Sequence, residues 1–219
     1  MAKSKRIRQK KLAAKRSKKV SKRKSAQSKE KHPHSDRQIM PLAKCPIHET
    51  LIPDNLFEMG IGIAVFSRML PDGKVALGMF LVDVYCLGVK DASIGELSMP
   101  EYEKFLTRGE PGWDWKEIDP ECLVKLTLES IDYAANLGFS PHKDYRQAKK
   151  IFGTITGYAC EQTFQFGMDG KPLYVAGPHD TPERIEKILK QLERAVGPDG
   201  YHFICPVGGD GPDEDNFIM

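Results

Sequence analysis

The first 37 residues set the strongest limit on the fold, because they cannot supply a hydrophobic core. They hold 16 lysines and arginines against only Glu30 and Asp36, which gives a net charge of +14. Their apolar residues are few and small, and like charges repel one another, which favours disorder in the free segment. The other 182 residues hold 17 basic and 28 acidic side chains, a net charge of −11. The sequence therefore predicts a disordered basic arm at 1–37 joined to an acidic folded body.

The body is predicted to be one globular domain at 38–205, followed by a flexible acidic tail at 206–219. Its length is sufficient for one sizeable core. No run approaches the roughly 18 apolar residues of a membrane span, and the N-terminus lacks the apolar region of a secretory signal. The five cysteines are odd in number and scattered, which favours free thiols in a reducing compartment over a disulfide framework. We therefore expect a cytoplasmic protein with no membrane partner.

Two β-hairpins are predicted within the body. The runs at 60–70 and 74–89 are rich in β-branched and aromatic residues and meet across Pro71-Asp72-Gly73. The second run is apolar on both alternating faces, which is typical of a strand covered on both sides. Asp169-Gly170 predicts the second hairpin turn, and 201–204 is a candidate last strand.

Four helices are predicted from their N-terminal signals, which are a capping residue and a proline in the first turn. These starts are at Ser98, Asp119, Ser140 and Thr181. The buried stripe expected for the second helix consists of Val124, Leu128, Ile131 and Ala135. Hairpins separated by helices indicate an α+β domain, with a mixed or antiparallel sheet packed with about four helices.

Three strings carry a resemblance to other proteins: LVDVYCLGVKDA, AANLGFSPHKDYRQAKKIFG and FGMDGKPLYVAGPHDTPERI. Together they resemble an uncharacterised family of bacterial proteins. The likeness extends over about residues 57–204 and does not include the basic arm. It implies a bacterial, cytosolic, single-domain body, and no activity or catalytic residue is carried over from it.

The basic arm gives the strongest functional signal. Lysine and arginine neutralise phosphates and release condensed counterions, without reading sequence. No helix-turn-helix, zinc-finger or RNA-binding signature accompanies the arm, and almost no aromatic residue offers a stacking platform. We therefore predict a nucleic-acid-associated protein that binds RNA or the ribosome rather than a specific DNA site; a solubilising tail is the simpler alternative. The predicted contacts are Lys10, Lys11, Lys15, Arg16, Lys18, Lys19, Lys22, Arg23 and Lys24.

Two other functions remain open, a protein-interaction module with a protein partner and a hydrolase acting on a phosphate-containing substrate. The candidate catalytic residues of the hydrolase are Asp83, Asp91, His142 and His179. Asp83 lies in an apolar strand, where a carboxylate needs a partner or a shifted pKa. Asp83 and Asp91 could ligate a metal, but an ion pair of Asp83 with Lys90 or an arginine is the simpler interpretation. Because no further ligand stands at motif spacing, we predict no metal and no cofactor.

The cysteines offer weaker candidate sites. Cys86 with His142, or Cys160 with His179, would form a nucleophile pair only if folding brought them together. Cys45-Pro46-Ile47-His48 has the spacing of two metal ligands but no second pair accompanies it. A cysteine on a buried strand usually acts as a small hydrophobic residue, and this is the simpler interpretation of Cys86.

Overall fold

The structure is a computed structural model that describes residues 42–107, 114–177 and 180–205. The predicted arm at 1–37, with its nine phosphate-binding candidates, lies outside the described residues. The predicted tail at 206–219 and His179 also lie outside them.

The described residues form seven strands and five α-helices. The strands are β1 (Ile47–Pro53), β2 (Ile61–Met69), β3 (Val75–Asp83), β4 (Gly88–Leu97), β5 (Trp115–Glu117), β6 (Leu173–Val175) and β7 (His202–Ile204). The helices are α1 (Leu56–Met59), α2 (Met99–Thr107), α3 (Pro120–Asn136), α4 (Tyr145–Ala148), which continues into a 3-10 turn (Lys149–Phe152), and α5 (Pro182–Val196). None of these helices has the length and apolarity needed to cross a membrane. The α+β class is confirmed, and α1 is an addition that the sequence pattern did not predict.

The main sheet is antiparallel and has the strand order β4-β3-β2-β1-β5. Its centre is the first predicted hairpin, in which β2 and β3 pair without interruption from Ile61 opposite Asp83 to Met69 opposite Val75. The predicted antiparallel sheet is therefore confirmed. A bulge in the β3–β4 pairing falls between Leu81 and Val82.

Both faces of the sheet are covered, as the apolar pattern of β3 predicted. On one face Phe80 packs against Phe152 of the 3-10 turn, with ring centroids 4.9 Å apart, and α3 covers the same core. On the other face Leu77 belongs to a smaller cluster with the buried Tyr102 of α2. Full burial of an aromatic or aliphatic side chain contributes about 1.5–3 kcal/mol, so the two layers together stabilise the sheet.

The second predicted hairpin is wrong, although its turn forms. Asp169-Gly170 has φ values of 52° and 77°, as a tight hairpin turn requires, but only a single bridge joins Met168 to Lys171. The N–H of Gly167 donates instead to the carbonyl of Val84, beyond the end of β3. Strand β6 pairs in parallel with the distant β7, which confirms the last strand and places it in a separate two-stranded sheet.

The cysteines do not all remain thiols. Cys122 in the first turn of α3 is bonded to Cys160, with Cα atoms 4.9 Å apart, so the expectation of five free thiols is wrong for this pair. The loop that carries Cys160 is also tied to α3 by Lys125, whose Nζ donates to the carbonyls of Cys160 and Gln162 at 3.1 and 2.7 Å. The two cysteines are 38 residues apart, and this spacing carries no local signal.

Candidate functional site

Asp83, the first catalytic candidate, holds a turn. It ends β3 with an exposed fraction of 7%, and its Oδ1 accepts the backbone N–H groups of Tyr85 at 3.0 Å and Cys86 at 2.8 Å. Burial raises the pKa of Asp83, and the charge of Lys90 and the turn N–H groups oppose this shift. The structural interpretation is supported, but the direct partners are backbone N–H groups rather than the predicted side-chain cation.

Replacing Asp83 with asparagine should change how stability depends on pH. A folded-state pKa above the unfolded value gives stability that is present below the unfolded pKa and is lost as pH rises through the folded pKa. Asparagine keeps the accepting oxygen without the buried charge. The free energy of unfolding of Asp83→Asn relative to wild type should therefore be higher at pH 7.5 than at pH 4, as measured by urea denaturation.

Asp72→Asn provides a control of opposite sign. A hydrogen bond from Lys74 lowers the pKa of Asp72, so Asp72 contributes stability that is lost as pH falls through its folded pKa. The Asp72→Asn variant should therefore lose stability relative to wild type at pH 7.5 and recover at pH 4. The same pH trend in both variants would contradict the assignment for Asp83.

Asp91 and His142, two further catalytic candidates, lie next to each other. His142 follows α3, and its backbone N–H donates to the Val89 carbonyl at 2.9 Å, which fixes the loop on β4. The Nδ1 atom of His142 is 3.3 Å from Oδ1 of Asp91 and 3.6 Å from Oδ2 of Asp144. This nitrogen is buried and makes no hydrogen bond of good geometry with any described residue.

The cysteine candidates lack the properties of nucleophiles. Burial raises the pKa of the Cys86 thiol, and the Asp83 charge raises it further, so the thiolate is not populated near neutral pH. Cys160 is oxidised to a disulfide and cannot serve as the partner of His179. Within the three described ranges, no group of three or more His, Cys, Asp or Glu side chains could hold a metal ion.

A groove of about 670 Å³, hereafter the α5 groove, lies between α5, the start of β4 and the loop at 138–142. Leu87, Val89, Phe139 and Ile188 provide apolar wall, and His142 also lines it. Its charged lining residues are Lys90, Arg184, Lys187, Lys190, Arg194, Glu183 and Glu186. Five cations against two carboxylates give this lining a net charge of +3, although residues 38–219 as a whole carry −11.

Helix α5 places its cations by simple helical spacing. Lys187, Lys190 and Arg194 are three and seven positions apart, so they lie along one face of the helix. Gln191 fixes the helix against the end of α3, because its Nε2 donates to the Leu137 carbonyl at 3.0 Å. Sequence reasoning identified α5 from its N-terminal signal at Thr181 but missed this basic face, which the helical periodicity of its lysines and arginines would have revealed.

The chain matches no family model, no curated protein and no solved structure. The resemblance to a bacterial family therefore stays a prediction. Of the four catalytic candidates, the structure brings Asp91 and His142 together, keeps Asp83 in a turn, and does not describe His179.

Proposed function

We propose that this protein associates with RNA or ribonucleoprotein through phosphate contacts of its N-terminal segment. The observation that carries the proposal is the charge split in the sequence, +14 on residues 1–37 and −11 on the remainder. A dense polycation attracts a phosphate backbone, whereas the average charge of the body repels it, so affinity is concentrated in the segment. The proposed contacts are Lys10, Lys11, Lys15, Arg16, Lys18, Lys19, Lys22, Arg23 and Lys24.

The expected binding is tight at low salt and broad in sequence. Lysine and arginine contacts to phosphates position a protein on a nucleic acid without specifying bases. If the segment meets about six to ten phosphates, affinity should fall by roughly 10³–10⁵ between 50 and 200 mM salt. No helix-turn-helix or zinc-finger signature accompanies the segment, which argues against a specific DNA site.

Neutralising the nine proposed contacts in the full chain should remove most of this binding. We expect the nine-glutamine variant to lose high-affinity binding of fluorescent tRNA at 50 mM salt. The slope of log affinity against log salt should become shallower by about 0.7–0.9 for each phosphate contact removed. Fluorescence anisotropy with tRNA, an rRNA fragment and duplex DNA, each measured at several salt concentrations, gives both quantities.

The matched control exchanges lysine for arginine, and arginine for lysine, at the same nine positions. This variant keeps every charge and should bind within a few-fold of wild type, because the main contribution is phosphate neutralisation. The proposal would be overturned if the wild-type protein bound none of the three nucleic acids at 50 mM salt. Duplex DNA bound more tightly than both RNAs would contradict the proposed target class.

The contact between Asp91 and His142 favours one second candidate, a hydrolase acting on a phosphate-containing substrate. A histidine beside a carboxylate is a common general acid–base arrangement, and His142 also lines the cationic α5 groove. Hydrolysis of a generic phosphodiester that is lost in His142→Gln but retained in the nine-glutamine variant would favour this candidate. Asp83 has no part in it, because its carboxylate holds the turn after β3.

A further inference from the structure

The α5 groove combines an apolar wall with cations in a way that suits a small organic anion. Phe139 forms part of the wall, and Lys187 and Arg194 line the same space from α5. Its volume of about 670 Å³ is within the roughly 300–1,000 Å³ typical of small-molecule sites. This is the composition of a ligand pocket, in which apolar surface provides contact area and a few polar groups provide orientation.

Ion pairs between described residues involve only some of the charged side chains of the groove lining. Glu186 is held by Lys190, with Oε1 and Nζ 2.6 Å apart, and Arg184 pairs with Asp180 at 3.0 Å. Lys187 and Arg194 are exposed on the same helix face as Lys190, and neither of them belongs to an ion pair between described residues. A cleft lined by an excess of one sign raises the local concentration of oppositely charged ligands, even on a protein surface of the other sign.

His142 adds a group on the opposite wall. Its Nδ1 faces Asp91 and Asp144 and is buried, so contact of this ring with a ligand would use Nε2 or the ring face. Lys90 on β4 lines the same wall, close to the buried Asp83. The groove thus has cationic side chains on both sides of its apolar surface.

We propose that the α5 groove binds a phosphate-bearing organic anion of about nucleotide size. The phosphate contacts Lys187 and Arg194, whose charged donors suit phosphate oxygens, and the organic part lies against Phe139. The phosphate belongs either to a free nucleotide or to one unit of an RNA strand. This proposal is independent of the N-terminal segment, because every residue that carries it belongs to the described domain.

The test measures binding of AMP, adenosine, inorganic phosphate and a short single-stranded RNA to the full chain by equilibrium dialysis. We expect AMP to bind more tightly than adenosine or phosphate alone, since the groove contacts both parts. The Lys187→Gln/Arg194→Gln variant should bind AMP at least tenfold more weakly. Both side chains are exposed, so this variant should fold as wild type does, and an unchanged circular dichroism spectrum and melting temperature establish that.

The matched control is Lys104→Gln/Lys116→Gln, which removes the same charge from exposed positions on α2 and β5. It should leave AMP affinity unchanged within twofold. An equal loss in both double variants would overturn the proposal by showing that only net charge matters, and adenosine bound as well as AMP would overturn the phosphate contact. If neither AMP binding nor RNA binding depends on Lys187 and Arg194, the proposed site is wrong.

Comparing AMP with RNA distinguishes a free nucleotide from a strand unit as the source of the phosphate. Comparing the groove variant with the nine-glutamine variant distinguishes the α5 groove from the N-terminal segment as the site. If RNA but not AMP loses affinity when Lys187→Gln/Arg194→Gln is added to the nine-glutamine variant, the groove binds a strand unit, and the reverse supports a free nucleotide. The nine-glutamine variant of the N-terminal segment should retain wild-type AMP affinity. Failure of the N-terminal proposal would therefore leave the groove intact, and failure at the groove would leave the segment intact.

Discussion

Replacing Arg68 with methionine is expected to lower the free energy of unfolding by about 3–5 kcal/mol. Arg68 lies on β2 with an exposed fraction of 5%, and three backbone carbonyls accept hydrogen bonds from its guanidinium. Nε donates to Ile151 at 2.6 Å, Nη1 to Cys45 at 2.6 Å and Nη2 to Phe152 at 2.8 Å. One side chain thus joins the central sheet to the 3-10 turn and to the chain before β1.

The loss of stability in Arg68→Met arises from backbone carbonyls left without a donor rather than from the smaller volume of the side chain. Methionine can occupy much of the space of the arginine stem, so the cavity contribution is small. It has no donor, so the carbonyls that Arg68 served lose their partners. Each buried polar group left without a partner costs about 1–3 kcal/mol, and the guanidinium serves two buried carbonyls and one that is partly buried.

Urea denaturation measures the effect, with two comparison variants. Arg146→Met changes an exposed arginine on α4 and should shift stability by less than about 0.5 kcal/mol. Arg68→Lys keeps the charge without the planar fork and should fall between methionine and wild type. If Arg68→Met proves as stable as Arg146→Met, the hydrogen bonds of the guanidinium do not stabilise the fold.

The sequence predicted the elements whose signals are local. The hairpin of β2 and β3 has its turn and both strands within about two dozen residues, and the predicted N-cap of α3 is present, since Asp119 Oδ1 accepts the Glu121 N–H at 2.9 Å. The second hairpin failed because its turn gives no information about distant partners. The N–H of Leu173 donates to the Tyr85 carbonyl, so the strand after that turn joins the β3–β4 connection.

The buried face of α3 shows why polarity alone misled the sequence reasoning. The predicted stripe is wrong at Leu128, which is 39% exposed, and at Ala135, whereas Thr127, Ser130 and Ala134 are buried. The two hydroxyls can be buried because they donate to carbonyls of their own helix at 2.8 Å. A polar residue whose hydroxyl donates a hydrogen bond to a carbonyl of its own helix does not mark the solvent face of that helix.

The candidate site could be predicted only as separate parts. Asp91 and His142 were each selected from the sequence, but they are 51 positions apart, and only the folded loop brings them to 3.3 Å. Cys122 and Cys160 are likewise far apart in the sequence, and only folding brings them together. Residue type identifies side chains that are capable of a given chemistry. Whether two of them lie close together depends on tertiary contacts, which have no local signal in the sequence.

Gly88→Ala should also destabilise the protein strongly, by about 2–5 kcal/mol. Gly88 begins β4 with φ +65°, in the left-handed region that costs a residue with a Cβ about 1–2 kcal/mol. The new Cβ would also lie 2.7 Å from the Ser130 carbonyl oxygen and 2.9 Å from the Cβ of Ala134. A backbone oxygen within α3 cannot move aside alone, so the strand and helix would have to separate, at an overpacking cost of about 1–3 kcal/mol.

Gly73→Ala is the control that separates the steric cost at Gly88 from the cost of a positive φ. Gly73 has φ +80° in the β2–β3 turn, and a Cβ there meets nothing within 4 Å, so only the conformational cost of about 1–2 kcal/mol applies. Gly88→Ala should exceed it in urea denaturation by the overpacking cost. Because Lys90 follows two residues later and lines the α5 groove, separation of β4 from α3 should also weaken AMP binding in the folded Gly88→Ala protein. Equal stability losses in the two variants would mean that the contact between β4 and α3 is looser than the structure shows.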